Sequence, residues 1–197
     1  VILFDLRNHG RSPWDDNHAY EYMALDVAES LDQLSVDKAC FIGHSMGGKV
    51  LMHLGLNHGS YIDKMIVVDM GTKSYPMHHQ DAIQSVNIES VTARSQVNEM
   101  LKPILASEGL RQFLLKNLYW KEKGVLAWRM NVKTLVKNME EVLSALPDGE
   151  ILNESLFIRG GLSNYILDDD VDLIQNQFPN SELLTIDGDR KTTRLNS

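Results

Sequence analysis

The sequence predicts an α/β protein, a parallel sheet with helices packed on it and a helical insertion before its last strands. Three observations predict it. Short apolar runs alternate with segments of helical periodicity. The pentapeptide Gly43-His44-Ser45-Met46-Gly47 falls at one strand-to-helix junction. From about His78 to Leu146 the strand signal lapses and helical spacing takes over, before the alternation resumes.

The elements follow in order. Val1 to Phe4 read as a short buried strand running into a loop with Gly and Pro breaks, D-L-R-N-H-G-R-S-P. From Tyr20 to Leu34 the apolar residues Met23, Val27, Ala28, Leu31 and Leu34 recur at helical spacing. Ala39 to Ile42 is a second buried strand, followed by G-H-S-M-G-G and a helix through Leu56. Met65 to Val68 is a third strand, closing on Asp69. Strands apolar on both faces argue for a parallel sheet covered on both sides. In the insertion, Leu110, Phe113, Leu114 and Leu118 share one helical face. Val132, Leu135, Val136, Met139, Leu143 and Leu146 share another, and Pro147-Asp148-Gly149 ends the stretch as a turn. Leu156 to Ile158 is a strand, Asp170 to Phe178 a helix with acids suited to its positive N-terminus, and Glu182 to Ile186 the last strand. The domain reading is therefore 1–77 as the first part of an α/β core, 78–149 as a helical cap, and 150–188 as the second part of the core.

Composition sets bounds. The chain has 197 residues and a net charge of −8. A chain this long buries enough surface to need no disulfide or zinc staple. An acidic surface without a basic stripe repels phosphate backbones, so nucleic acid is not an expected partner. No apolar run is long enough to span a membrane. The single Cys40 sits in an apolar run and is expected to act as a small buried hydrophobe in a reducing compartment, with a cytoplasmic location the default reading.

Chemistry concentrates at Gly43-x-Ser45-x-Gly47. A hydroxyl is a poor nucleophile unless it is exposed, aimed and deprotonated. A tight strand-to-helix turn lifts Ser45 above the sheet edge and strains its backbone, and the flanking chain passes so close that small residues are needed at positions 43 and 47. The next amide, on Met46, lies at the helix N-terminus and is placed to donate to a developing oxyanion. The phosphate-loop spacing G-x-x-x-x-G-K-[ST] is absent.

D-L-R-N-H-G-R-S-P, then G-H-S-M-G-G-K, then I-D-K-M-I-V-V-D resemble the α/β-hydrolase fold, and more narrowly the YbfF-type esterases. The likeness continues through F-L-L-K-N-L and W-R-M-N-V into F-I-R-G-G-L-S-N-Y-I. The resemblance implies hydrolysis of small-molecule, short-chain acyl esters, with acyl thioesters as a secondary substrate class, by a Ser-His-Asp triad through an acyl-enzyme, with no cofactor and no metal. It implies Asp69 as the triad acid, because YbfF-type enzymes carry the acid after the strand that follows the nucleophile helix. Most α/β-hydrolases carry it after the strand beyond the cap, a place held here by Ser163, which bears no charge. The Asp168-Asp169-Asp170 cluster is the competing source, with helix capping as its plainer role. The cap is expected to shape the acyl pocket.

All seven histidines lie at or before His79, whereas the family's catalytic histidine follows the last strand. Residues 189–197 instead resemble translated adapter sequence and are expected to be non-native. The family's first strands, and the loop that gives a second oxyanion amide, fall before Val1. The chain is thus expected to be incomplete and nearly inactive as written, loss of the base alone costing on the order of 10⁴ to 10⁶ in turnover. His44 is expected to be structural, His9 a loop-packing hydrogen bonder, and Asp5 and Arg7 a bracing pair. Adjacent His78 and His79 lack zinc-ligand spacing. Lys49, in the first turn of the nucleophile helix, has no evident role. Two rival readings remain: another α/β-hydrolase chemistry, such as haloperoxidase-like or carbon–carbon hydrolysis, and a non-catalytic ligand-binding protein.

Overall fold

A computed structural model describes residues 1–77 and 86–188. These residues fall into two units, one formed by residues 1–18 with 76–141, the other by 19–75 with 142–188.

The second unit carries the parallel sheet. Its elements are α1 (Tyr20–Gln33), β1 (Ala39–His44), α2 (Met46–His58), β2 (Ile62–Val68), β5 (Glu154–Gly160), α7 (Val171–Gln177) and β6 (Ser181–Ile186). The strands lie in the order β1-β2-β5-β6, all parallel. Helix α1 buries Met23, Val27, Ala28 and Leu31, four of the five residues the periodicity selects, and packs against α2, which lies on β1 and β2. Leu34 is the exception: it forms the helix C-cap and is exposed. Phe157 of β5 meets Phe178, just past α7, edge to face at 5.0 Å, and both are fully buried. Burial of each such side chain contributes roughly 1.5–3 kcal/mol.

Two strand expectations are corrected here. Val1–Phe4 is not a strand, and its side chains are exposed. An extended segment needs a hydrogen-bonded neighbour to count as one, and no described strand pairs with it. β1 is a strand, but it is an edge of the described sheet, with alternate residues Cys40, Ile42 and His44 outward. Cys40 is therefore exposed rather than buried, its Sγ 3.7 Å from Asp63 Oδ2.

The first unit holds α3 (Arg94–Leu101), α4 (Glu108–Leu115), the antiparallel pair β3 (Leu118–Glu122) and β4 (Val125–Trp128), α5 (Val132–Lys137) and α6 (Met139–Val142), whose last residue falls in the second unit. The expectation of an all-helical insertion is thus corrected. Leu110, Phe113 and Leu114 do lie on α4, but Leu118 opens a hairpin. Lys123-Gly124 is its turn, and Gly124 has φ +81°, a left-handed conformation that glycine adopts without penalty. Around the hairpin, Val97, Leu101, Leu118, Leu126, Trp128 and Leu135 form one apolar cluster. Trp120 stays half-exposed.

Residues 1–18 group with this insertion and not with the sheet. The Gly10 N–H donates to the Arg129 carbonyl at 2.7 Å and the Asn131 N–H to the Asn8 carbonyl at 2.9 Å. Asn8 is fully buried at φ +66°, where its Oδ1 accepts from the Asp15 N–H and from Asn131 Nδ2. Local backbone pairing decides this grouping, which apolar periodicity does not report.

Candidate active site

The site is built where β1 ends. His44 is the last strand residue and Met46 the first of α2, so Ser45 alone makes the turn. Its backbone stands at φ 52°, ψ −122°, a combination that costs a non-glycine residue about 1–3 kcal/mol. The neighbouring strand holds it there. The Ser45 N–H donates to the Val68 carbonyl at 3.0 Å, and the Ser45 carbonyl accepts from the Gly48 and Lys49 amides to start the helix. The Ser45 hydroxyl makes no capping bond to those amides, and the residue is half-buried. Met46, as the first helical residue, has no intrahelical acceptor for its N–H.

Gly43 explains why the bend tolerates no side chain behind it. A Cβ there would stand 2.4 Å from the Gly47 carbonyl oxygen, far inside contact distance. Gly47 differs from the expectation: a Cβ on it would meet nothing within 4 Å, and it is the backbone of Gly47 that fills the space beside Gly43. The crowded second glycine is Gly48, whose Cβ would lie 3.1 Å from Val67 and 3.2 Å from the Gly43 carbonyl.

Asp69 follows β2 as Ser45 follows β1. His44 is in register with Val68, so the two side chains leave adjacent strands at the same level. Asp69 too has positive φ, +51°. Its N–H donates to the Ile158 carbonyl at 2.7 Å, which pins it between β1 and β5. The carboxylate Oδ1 is buried and has no hydrogen-bond partner among the described residues. A buried acceptor left open in this way is costly unless it serves a partner.

The loop after Asp69 is tied down from several directions. The Gly71 N–H donates to Tyr75 Oη at 2.7 Å, and that hydroxyl donates to the Tyr165 carbonyl at 2.9 Å. Lys73 forms an ion pair with Asp170, whose other contact is the Leu167 N–H at 2.7 Å. Asp168 pairs with Arg159 at 2.7 Å. The acidic cluster thus braces a helix start and a loop. Ser163 accepts from the Tyr165 N–H at 3.3 Å. Lys49 is fully buried, and burial pushes its ammonium down to about 8. Gly48, Tyr75 and the Lys73–Asp170 pair were missed by sequence reading, because Val67, Tyr165 and Asp170, which they meet, lie far from them along the chain.

Three of the described histidines, His53, His18 and His9, are engaged elsewhere. His53 stacks on Tyr20 at 5.2 Å, and burial, then the charge of Lys49, pushes its pKa down to about 4. His18 lies 3.3 Å from Asn8 Nδ2, and burial first of all pushes it down to about 4. His9 contacts the Arg7 carbonyl, as expected of a loop-packing residue, while Arg7 reaches Asp15 at 3.7 Å and Asp5 accepts the Arg11 N–H. His44 is exposed on the edge strand. His58 closes the far end of α2. His78, His79 and residues 189–197 lie outside the described residues. Among the described residues, no helix is long and apolar enough to cross a membrane, and no group of three or more His, Cys, Asp or Glu could hold a metal ion.

A strained serine on a strand–helix bend, beside an acid at the end of the next parallel strand, places this chain in the α/β-hydrolase family. The family pattern described as "alpha/beta hydrolase fold" matches residues 1–96. Its relatives include proteins named as esterases and lipases. The chain is 35% identical to "Esterase YbfF" of Escherichia coli over 95% of its own length and 74% of that protein. It is 34% identical to the "sn-1-specific diacylglycerol lipase ABHD11" of Danio rerio, of which it spans 61%. A solved structure called "Marine microorganism esterase" superposes with a TM-score of 0.88 at 34% identity, covering 93% of this chain and 75% of that one. The resemblance to YbfF-type esterases read from the motifs is therefore correct.

Proposed function

We propose that the protein carrying this chain is a serine hydrolase of carboxylic esters. Ser45 Oγ attacks the acyl carbonyl carbon. Its proton passes to a histidine base, which returns it to the departing alcohol. The oxyanion is held by the Met46 N–H together with a second donor. Water then attacks the acyl-enzyme carbonyl, regenerating the Ser45 hydroxyl and releasing the carboxylic acid. Asp69 orients the base and stabilises its imidazolium. The proposed division along the chain is a core in two parts, 1–77 and 150–188, with 78–149 as the cap, residues 1–18 being the stretch of that core whose backbone pairs with the cap segment.

The observation that carries this reading is the Ser45 backbone at φ 52°, ψ −122°. Strain of that size persists only where the surroundings impose it, and at a strand–helix bend its effect is to present the hydroxyl. The unpartnered Asp69 Oδ1 supports the acid assignment. The names of the relatives support ester substrates. Thioesters remain a substrate proposal resting on family resemblance alone.

A fluorophosphonate probe tests the nucleophile. The wild-type protein labels covalently and Ser45→Ala does not. Labelling that survives in the alanine variant removes Ser45 from the role.

A further inference from the structure

Lys49 takes no part in the chemistry above, yet it buries a charged group close to it. It lies on α2 four residues beyond Ser45, so both project from neighbouring turns of one helix start. It is fully buried, and among the described residues no carboxylate pairs with it. Instead Nζ donates to the Thr72 carbonyl at 3.2 Å and the Lys73 carbonyl at 3.0 Å. The ring of Tyr75 lies 5.5 Å from Nζ, within cation–π range. Thr72, Lys73 and Tyr75 all belong to the loop that begins at Asp69.

We propose that Lys49 is a positioning residue, a strut from the nucleophile helix to the loop after Asp69 that sets the separation of the Ser45 hydroxyl and the Asp69 carboxylate. The inference rests on the Ser45–Asp69 reading above. Its force comes from the alternative a purely structural position would take. An apolar side chain of similar length fills the same space without burying an ammonium, and such replacements are commonly neutral or stabilising. Two backbone carbonyls and one aromatic face account for its donors, and all three come from a single loop. That loop is fixed at its other side by the Leu146 N–H on the Thr72 carbonyl at 2.7 Å and by the Lys73–Asp170 pair. Lys49 is the side-chain tie from α2 into it.

The charged and titratable groups around Nζ are few. His53 lies on the next turn of α2 and is itself stacked on Tyr20 of α1. Tyr75 and Lys73 face it from the loop, and Asp170 approaches through Lys73. Loss of the Lys49 proton weakens the grip on both carbonyls and on the ring. Because burial lowers that ammonium to about 8, the strut slackens on the mildly alkaline side.

The test is steady-state hydrolysis of a p-nitrophenyl acyl ester against pH by the wild-type enzyme and by Lys49→Met. The expected result is a fall in kcat of about 10- to 100-fold, the usual consequence of misplacing catalytic groups by an ångström or less. KM stays within about threefold, because substrate contacts are untouched. The alkaline decline in wild-type kcat near pH 8 disappears in the variant. If the methionine variant does not fold, Lys49→Gln, which keeps a neutral donor, is assayed in its place. A folded variant with wild-type kcat and an unchanged pH profile overturns the proposal. Ser45→Ala, assayed alongside, separates the two readings: if it is inactive while the Lys49 variant is unaffected, only the strut fails, whereas an active Ser45→Ala overturns the nucleophile itself.

Discussion

Ser45 and Asp69 occupy equivalent places on adjacent parallel strands, each one residue past its strand end and each with positive φ, 52° and 51°. Parallel neighbours lie about 4.8 Å apart, so register alone brings the two residues to one edge of the sheet. This edge is where open α/β sheets put their sites, since the carboxyl ends of the strands feed loops and helix N-termini into the same space. Neither residue is glycine, so each bend is held against its own steric cost by a backbone bond to the neighbouring strand, Ser45 N–H to Val68 and Asp69 N–H to Ile158.

The charge of Asp69 is separable from its conformation. Asparagine also tolerates left-handed φ, so Asp69→Asn keeps the bend and removes the negative charge. The expected outcome is a loss of about 10⁴ in kcat of the enzyme carrying this chain, with the melting temperature little changed. Ester hydrolysis at the wild-type rate by the asparagine variant assigns the acid elsewhere.

The two glycines of the bend predict opposite behaviour. Gly43→Ala forces a Cβ onto the Gly47 carbonyl oxygen, 2.4 Å away, and displaces the elbow. Its cost is about 1–3 kcal/mol or more, with Ser45 labelling slowed by at least about tenfold. Gly47→Ala meets open space and sits within a helix, where alanine is favoured over glycine by about 1 kcal/mol. Denaturant unfolding of both variants checks the contrast.

Acid sensitivity follows from His53. Its folded pKa of about 4 lies below the ordinary 6.5, so the unfolded chain binds more protons between those values. Stability is therefore full above about pH 6.5 and falls as pH drops toward 4, by an order of about 3 kcal/mol from this group. His18, also lowered to about 4, acts in the same direction. His53→Phe keeps an aromatic ring against Tyr20 and removes a buried Nε2 that has no partner. Urea unfolding midpoints measured from pH 7 to pH 4.5 decline less steeply in the phenylalanine variant.

Much of the fold was legible because its signals are local. The periodicity of Tyr20–Gln33 marks most of the buried face of α1, Met23, Val27, Ala28 and Leu31. Gly43-x-Ser45-x-Gly47 marks a strand–helix bend because the residues that permit it are neighbours in the chain. The hairpin at Leu118–Trp128 escaped because the apolar spacing of Leu110, Phe113 and Leu114 continues numerically into Leu118, although Lys123-Gly124 signals the turn. Hydrophobic spacing alone does not separate a helix from a short strand when the run is brief.

By itself the sequence determined the parallel α/β class, through the alternation of its elements, and the family, the bend at Ser45 and the aspartate placed after the following strand, through short motifs of consecutive residues. Only the tertiary structure decided which strands border the described sheet, which glycine is crowded, and where Lys49 ends. Exposure of Ile42, the Gly43–Gly47 approach and the grip of Lys49 on Thr72 and Lys73 all depend on strand register and loop path. Those are contacts between segments, and the free energy of burying or crowding a side chain is set by whatever the rest of the chain brings against it.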